Sequence, residues 1–408
     1  MAGQEDIIVG LDIGTTKICA VVGEFLDKEI NIIGIGTHPS NGLRKGVVVD
    51  IESTVESIKN AIEEAELMAG CEISEVYAGI AGGHITGFNS RGIIAIKGSE
   101  ITQNDVERVI DAACAVVIPM DREVIHVLPQ EFIVDDQRGI QNPVSMTGVR
   151  LEVKVHIVTG AVASARNIVK CTNRAGLDVC KIVLESVASG KAVLSNEEKE
   201  LGTALLDIGG GTTDMAIFFD NNIKHTFVLG LGGNNFTNDI AIGLRSPFSE
   251  AEKIKKKFGC CFYENVGAEE NIEVPGLGGR EPRKLPRQIL AEILEPRMEE
   301  IFTLIKREID KNDMEQFLTS GIVITGGSAL LKGTSEVAEA VFNVPVRTGV
   351  PLGITGLVDV VNNAMYATGV GLVVYGAKNQ SKKDFRIRDD KIFNRIVNQM
   401  KGWFKDIV

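Results

Sequence analysis

The sequence predicts an α/β protein made of two related domains, each of which begins with a β-hairpin. The chain has 408 residues, 44% of them hydrophobic and 24% charged, which is ordinary globular composition and enough for two or more domains with their own cores. A run of β-branched and apolar residues is followed by a Gly/Thr-rich turn at 14–17 and again at 209–213. Because the two copies are separated by about half the chain, they indicate an internal duplication.

Between and after the hairpins, the spacing of apolar residues predicts alternating helices and strands. Helical spacing indicates helices over 51–69, 103–117, 161–174, 250–258, 287–307 and 357–376. Short apolar runs predict strands over 76–81, 90–96, 122–129, 148–158 and 179–184. Regular alternation of this kind is typical of α/β domains.

The order of these elements predicts that each domain carries an inserted subdomain. The first domain is expected to comprise 1–83 and 161–196, with 84–160 as its insert. The second is expected to comprise 197–245 and 305–376, with 246–304 as its insert. A polar stretch without helical period, 377–391, reads as a flexible linker. The last segment, 392–408, has the pattern of an amphipathic helix.

Composition excludes several classes of protein. A net charge of −12 and a pI near 5.1 argue against a nucleic-acid partner. The seven cysteines are scattered without a CxxC pair, which indicates reduced thiols in a cytosolic protein rather than a disulfide framework. The five histidines form no ligand cluster for a structural metal. We also expect no signal peptide and no membrane-spanning helix.

The two Gly/Thr turns carry the clearest chemical signal. Backbone N–H groups and hydroxyls in such turns can surround a phosphate at close range. The predicted phosphate-binding residues are Gly14, Thr15, Thr16, Lys17, Gly209, Gly210, Gly211, Thr212 and Thr213. Asp12 and Asp207 end the preceding strands, and a carboxylate tolerates a nearby phosphate when a cation lies between them, so the pair predicts Mg²⁺ held largely through water. The alternative is two tight hairpin turns with capping aspartates.

Three further segments fit a nucleotide between the domains. A Gly-rich helix start contains Gly232, Gly233 and Asn234, and a strand–turn–helix contains Gly326, Gly327 and Ser328. Glu252, Lys255 and Lys256 share one predicted helix face and could bracket an adenosine, although for this trio alone a solvated charged face is the favoured interpretation. No GxxxxGK[ST] string of a P-loop occurs.

Several strings resemble known families. GLDIGTTK, VLESVASG, LDIGGGTTD, VITGGSALLKG and ATGVGL resemble, in order, the five motifs of the actin–chaperone–sugar-kinase superfamily. Within it, EVYAGIAGGHITG, GLRKGVVVD, GGREPRKLPRQILAEILEPR and NAMYATGVGL resemble the FtsA family of bacterial cell-division actin homologues, and the resemblance covers 6–376. It implies an actin-like duplicated two-domain ATPase fold that binds ATP and Mg²⁺.

The resemblance also implies roles for individual positions. Glu185 lies where chaperone ATPases place an acid that orients the attacking water, although the family is expected to hydrolyse ATP weakly at most. The insert at 84–160 is expected to make filament contacts and to bind later division proteins. The insert at 246–304 is expected to bind the C-terminal peptide of FtsZ, with Arg287 and Arg297 as receivers of that acidic peptide. The alternative for either arginine is a surface salt bridge.

The C-terminal segment has three candidate partners: a membrane, another protein or the chain's own body. Its apolar residues recur at helical spacing at Ile392, Phe393, Ile396, Val397, Met400, Trp403, Phe404 and Ile407. As a helix it is about 25 Å long, too short and too charged to span a bilayer. The basic residues around it favour a helix that lies in the interface of an anionic membrane. Docking on the body is the alternative.

Together these features predict an ATP-binding, actin-like cell-division protein that polymerises. We expect it to tether FtsZ filaments to the cytoplasmic face of the bacterial membrane at the division site, as a peripheral protein that helps recruit later division proteins. The alternatives within the superfamily are an actin-like scaffold of pilus assembly and a small-molecule kinase. A kinase would need a catalytic Asp in a substrate cleft and would have no use for a lipid-binding tail.

Overall fold

A computed structural model describes residues 7–26, 29–275 and 281–380. The predicted membrane helix and most of the predicted linker therefore lie outside the described residues. The first half of the chain forms β1 (Ile7–Ile13), β2 (Lys17–Leu26), β3 (Glu29–Pro39), β4 (Leu43–Arg44), β5 (Val47–Val48), α1 (Ile51–Ala69), β6 (Glu75–Ile80), β7 (Thr86–Ala95), α2 (Gln103–Cys114), β8 (Arg122–Val134), β9 (Gln137–Ile140), β10 (Arg150–Ala161), α3 (Val162–Arg174), β11 (Asp178–Leu184), α4 (Glu185–Val193) and α5 (Asn196–Leu201).

The second half continues with a further set of strands and helices. These are β12 (Thr203–Ile208), β13 (Thr213–Phe219), β14 (Asn222–Leu229), α6 (Gly233–Leu244), α7 (Phe248–Phe258), β15 (Asn271–Val274), β16 (Arg283–Pro286), α8 (Gln288–Lys311), β17 (Ile322–Thr325), α9 (Thr334–Phe342), β18 (Val346–Thr348), β19 (Ile354–Gly356), α10 (Val358–Val361) and α11 (Ala367–Gln380).

Two large sheets carry the duplication. The first has the order β11-β6-β1-β2-β3-β19, and the second has the order β14-β13-β12-β17-β18. In each, three strands that follow one another along the chain pair antiparallel, and the strand on the other side of the first is parallel to it. The Gly/Thr turn joins the first two strands of each set. The turns close in the same way, because the Gly14 amide donates to the Lys17 carbonyl at 3.1 Å and the Gly209 amide donates to the Thr212 carbonyl at 2.9 Å. The repeated motif therefore folds into two equivalent hairpins.

The two sheets share a continuous hydrophobic core. Leu205, Phe218 and Val323 of the second sheet belong to the same buried cluster as Leu11 and Val21 of the first. Helix α11 comes from the end of the described chain yet packs on β1 and α4, and Gly10 is needed there because a Cβ would lie 2.7 Å from Leu372 Cβ. The shared core and α11 thus join the two halves next to the two turns.

Residues within the predicted first insert form a smaller unit. Its sheet has the order β7-β10-β8-β9, with α2 packed on β7 and β10 around buried residues such as Val109 and Val153. Strand β8 continues to Val134, beyond the predicted end at position 129, because the register shifts beside Pro129 and the ladder then resumes. A proline at a bulge does not end a strand, since it lacks only its own N–H donor.

The single helix predicted over 357–376 is wrong. The chain forms the short helix α10, a 3₁₀ turn over Ala364–Tyr366, and then α11. The break lies at Asn363, whose backbone is extended and whose side chain accepts a hydrogen bond from the Met365 amide at 3.1 Å. Such a cap starts a new helix. Helix α11 then runs to Gln380, so its last residues fall inside the stretch that was predicted as linker.

Among the residues that the structure describes, no helix combines the length and the apolar character needed to cross a membrane.

Candidate functional site

A cavity of about 640 Å³ lies between the two Gly/Thr turns and receives residues from both halves. The tips of the turns nearly touch. A Cβ at Gly211 would lie 2.5 Å from Thr15 Oγ1, and a Cβ at Gly210 would lie 2.5 Å from Thr16 Oγ1. Side chains at these two positions would separate the turns. The predicted residues that line the cavity are Asp12, Gly14, Thr15, Thr16, Lys17, Glu185, Asp207, Gly209, Gly210, Gly211, Thr212, Gly233, Glu252, Lys255, Lys256, Gly326, Gly327 and Ser328.

Four carboxyl groups gather beneath this cavity. Burial raises the pKa of Asp12 to about 6, with Lys17 opposing the shift and Asp207 adding to it. Burial raises the pKa of Asp214 to about 8, helped by the charge of Asp207. Burial, and then the charges of Asp12 and Asp214, hold the pKa of Glu185 well above its usual value. A buried cluster of this kind favours either protons or a cation.

The donor set fits a hydrated Mg²⁺. Asp214 Oδ1 is buried and has no hydrogen-bond partner among the described residues, so it has a free lone pair for a water or an ion. Asp207 is held from one side, where its Oδ2 accepts hydrogen bonds from the hydroxyls of Ser189 and Thr368. The described residues contain no group of three or more ligands that could hold a metal ion directly.

Lys17 brings a positive charge to the cavity from the first turn. Its ammonium group donates to the Met365 carbonyl at 2.8 Å and lies 4.2 Å from the centre of the Tyr366 ring. It also opposes the upward shift in the pKa of both Asp12 and Asp207. The first turn therefore faces the cavity with a cation, while the acidic groups Asp207 and Asp214 come from the second hairpin.

The start of α6 supports the second turn from behind. The Gly233 amide donates to the Gly209 carbonyl at 2.9 Å, and the Asn234 amide donates to the Gly210 carbonyl at 2.7 Å. Three predicted ligands, Thr213, Gly232 and Asn234, are not among the residues that line the cavity. The hydroxyl of Thr213 is also used internally, because it donates to the Leu231 carbonyl. The structure thus places these three residues behind the turn.

The predicted adenosine-bracketing trio forms one network on α7. Lys255 Nζ lies 2.7 Å from Glu252 Oε2 and donates to the Gly233 carbonyl at 3.0 Å. Lys256 Nζ lies 3.3 Å from Glu252 Oε1 and is largely exposed. Opposite them, Ser328 donates to the Gly209 carbonyl at 3.3 Å. Lys255 is buried whereas Lys256 is largely exposed, and all of these residues line the cavity.

Sequence reasoning missed three polar residues of this site. Asp214, Ser189 and Thr368 are buried and lie in or directly around the carboxyl cluster. All three occur inside the motif strings LDIGGGTTD, VLESVASG and ATGVGL, so the signal was available in the sequence. Asp214 also stands opposite Asp207 in the β12–β13 register, which places both side chains on one face of the hairpin.

The two arginines predicted to receive a peptide each have an acidic partner within the chain. Arg287 caps α8 rather than lying on it, pairs with Glu270 and donates to the Phe258 carbonyl at 2.8 Å. Arg297 Nε lies 2.6 Å from Asp239 Oδ2. A peptide carboxylate would have to compete with these acids. The predicted membrane residues lie outside the described part of the chain.

Comparisons with known proteins identify relatives over nearly the whole chain. Residues 204–371 match the family described as cell division protein FtsA, and residues 82–159 match the SHS2 domain inserted in FtsA. The cell division protein FtsA of Pseudomonas aeruginosa is 53% identical over 376 residues, covering 92% of this chain and 90% of the relative. The protein of the same name from Escherichia coli is 42% identical over 412 residues, covering 99% and 97%.

Solved structures share the fold at low sequence identity. A chain of the PilM–PilN type IV pilus biogenesis complex superposes with a TM-score of 0.66 at 16% identity, covering 91% of this chain and 98% of its own. MreB5 of Spiroplasma citri bound to ADP gives a TM-score of 0.56 at 16% identity, covering 93% and 98%. These similarities establish an actin-like ATPase fold and concern the fold alone.

Proposed function

The chain belongs to the FtsA family of cell division proteins, and from this premise we propose that it binds Mg²⁺ and ATP, polymerises and tethers FtsZ filaments to the membrane. Membership of this family gives it the role of an actin-like cell-division protein. The observation that carries the nucleotide proposal is the cavity between the two turns, which combines the cation of Lys17 with the acids Asp207 and Asp214. A phosphate chain with its Mg²⁺ complements both charges.

In this proposal Asp12, Asp207 and Asp214 hold the hydration shell of Mg²⁺, which supplies the positive charge that lets the phosphates lie beside the carboxylates. Lys17 and the amides of the two turns bind the phosphates. Gly326, Gly327 and Ser328 form a wall against the nucleoside, with Lys255 and Lys256 opposite. The residues from both halves would then make nucleotide binding a way of fixing the angle between the halves.

Glu185 is the proposed group that orients the attacking water, and it needs a nearby cation to act as a base. A carboxyl group whose pKa is raised well above 4.5 by burial retains its proton to higher pH, and a protonated carboxyl cannot accept one from water. A cation nearby lowers such a pKa and restores the base. We propose weak hydrolysis at most, which is what the resemblance to the FtsA family implies, with Glu185 as the group that orients water.

The remaining roles are proposed for three surfaces. The insert that contains β7–β10 makes contacts between copies of this chain and with later division proteins. The region of α7, α8 and the β15–β16 hairpin binds the C-terminal peptide of FtsZ, with Arg287 and Arg297 exchanging their internal acids for peptide carboxylates. The segment 392–408 binds anionic lipid on the cytoplasmic face of the membrane at the division site.

Co-sedimentation of the full chain with anionic phospholipid vesicles tests the tether. Trp403→Glu places a charge on the apolar side of the predicted helix, while Gln399→Glu places the same charge on its polar side. Because Trp403 is expected at the lipid boundary, its replacement should lower vesicle binding by about tenfold or more, and Gln399→Glu should lower it only a few-fold. Equal pelleting of Trp403→Glu and the unchanged protein would overturn the membrane role.

A further inference from the structure

The edge strand β14 of the second sheet is covered by the insert that belongs to the first half. Strand β14 stands at the end of its sheet, so its outer edge has no neighbouring strand in that sheet. The insert's sheet packs across it, with contacts from β7, β8 and β10. The approach is close, since a Cβ at Gly87 on β7 would lie 2.6 Å from Thr226 Oγ1 on β14. The insert therefore bridges the two halves.

The bridge is made by a buried row of polar side chains, which we call the clasp: Asn89, Gln130 and His156 of the insert, and Thr226 with the carbonyls of Ile223 and Lys224 on β14. Gln130 Nε2 donates to the Ile223 carbonyl at 2.9 Å and to the Lys224 carbonyl at 3.0 Å. His156 Nε2 lies 2.8 Å from Thr226 Oγ1. Gln130 is 6% exposed and His156 fully buried, so these bonds are shielded from water.

His156, the histidine of the clasp, is neutral and carries its proton on Nδ1. Burial, and then the neighbouring His225, lower the pKa of His156 to about 3. Its Nδ1 lies 2.7 Å from the Asn89 side-chain oxygen, which can only accept, so Nδ1 carries the proton and donates it. Nε2 therefore accepts the hydrogen bond from the Thr226 hydroxyl. Removing that hydroxyl would leave a buried acceptor unsatisfied, which is costly.

Both ends of the clasp lead back to the cavity. On the second half, β14 pairs with β13 from Thr213↔Leu229 onward, and β13 starts directly after the turn at Gly209–Thr212. On the first half, the insert leaves the chain just after Ala81, which lines the cavity. A change in the distance between the turns would thus be transmitted to the clasp by two routes. In the second half the route is the β13–β14 hydrogen-bond ladder, and in the first half it is the short connection after Ala81.

We propose that the clasp couples ligand binding in the cavity to the position of the insert. Its hydrogen bonds hold β14 to the insert's sheet in one of the two states, ligand-free or ligand-bound, and break in the other. The proposal rests on the proposed function, because it takes Mg²⁺ and ATP as the ligand that moves the halves. The outer surface of the insert would then take a different position in each state. Binding at the cavity and binding at that surface would both shift the equilibrium between the closed and the open clasp.

Hydrogen–deuterium exchange of the full chain tests this, with and without Mg²⁺ and a non-hydrolysable ATP analogue. In the unchanged protein, the ligand should slow exchange in 207–214 and also alter exchange in the insert strand 123–134. In Thr226→Val the ligand should still slow exchange in 207–214 but no longer alter 123–134. Ligand-free Thr226→Val should exchange about fivefold faster in β8 and β14, the factor expected for losing one buried hydrogen bond.

Two further variants separate coupling from general damage. Thr226→Ser keeps the hydroxyl and should restore the response of the insert. Thr355→Val is the matched control, because it removes a hydroxyl that donates to the Ile30 carbonyl at 3.4 Å on β3, away from the clasp, and it should leave the response of the insert unchanged. Protection of 207–214 with an insert that does not respond, or a response that survives in Thr226→Val, would overturn the clasp alone. No protection of 207–214 in the unchanged protein would overturn ATP binding and, with it, the coupling.

Discussion

Replacing Asp207 with Asn is expected to weaken binding of Mg²⁺ and ATP and, at the same time, to stabilise the ligand-free protein. Asp207 is 6% exposed, and burial raises its pKa although Ser189, Thr368 and Lys17 act in the other direction. Its charge also raises the pKa of Asp12 and Asp214. A neutral amide of the same shape relieves this repulsion, but it can no longer attract the cation's hydration shell.

The size of the binding effect follows from the loss of one charge-assisted contact, which is worth about 2 kcal/mol, or about thirtyfold in affinity. At a free ligand concentration of about 100 times the dissociation constant, the unchanged protein gains about 2.7 kcal/mol of stability. At the same concentration Asp207→Asn should gain about 0.9 kcal/mol by the same relation. The ligand-free variant should unfold at a higher urea concentration than the unchanged protein.

Isothermal titration with ATP, in Mg²⁺ and in EDTA, measures the first effect, and urea unfolding without ligand measures the second. Asp359→Asn removes an exposed carboxylate outside the cavity and serves as the matched control for both. The thirtyfold difference should appear in Mg²⁺ and be much smaller in EDTA, because the carboxylate acts through the cation. Unchanged affinity in Mg²⁺, or a ligand-free variant less stable than the unchanged protein, would refute the reasoning.

Two further outcomes follow from the same site. Gly326→Ala should lower the free energy of unfolding by about 1–3 kcal/mol, because φ is +87° and a Cβ would lie 2.7 Å from the Ile208 carbonyl oxygen. Gly327 has open space around it, so Gly327→Ala should change the free energy of unfolding little in the same urea assay. The pKa values of Asp12 and Asp214, about 6 and about 8, lie above the ordinary value of 3.8, so the folded state binds more protons, and the stability they contribute at low pH should be lost as pH rises through 6 and 8. Four histidines whose pKa values are lowered by burial act in the opposite direction, so the test compares Asp214→Asn with the unchanged protein in urea without Mg²⁺. The stability of the variant relative to the unchanged protein should increase from pH 5 to 8, and a difference that stays constant would contradict this assignment.

The parts of the fold that were predictable depend on local sequence. Helix α1 begins and ends where the pattern indicated, because Asp50 caps its start and Gly70 adopts a left-handed conformation at its end. The two turns were predictable because their Gly/Thr composition occurs twice, and composition of this kind favours a tight turn. The cavity was predictable in part, since many of its lining residues belong to the motifs, whereas Thr37, His38 and Pro39 of β3 lie outside them.

The contacts that were not predictable join residues distant in sequence. Nothing in the spacing of Asn89, Gln130, His156 and Thr226 indicates that they meet, because the meeting depends on how the insert packs on β14. Arg287 and Arg297 are similar, since the acids that neutralise them come from other elements of the chain. Polar residues without a local motif reveal their partners only once the packing of the elements is known.

The two duplicated hairpins differ at a few positions, and these differences give the two sides of the cleft different charges. In the paired strands, Asp207 stands opposite Asp214, whereas Asp12 stands opposite Cys19, whose thiol stays neutral because burial raises its pKa to about 12. The position of Lys17 in the first turn corresponds to Thr212 in the second, as the two turn-closing hydrogen bonds show. One hairpin therefore carries an extra acid and the other carries the cation. Two identical hairpins would offer no such polarity, so divergence at these positions favours a ligand that is anionic at one end and cation-bearing at the other.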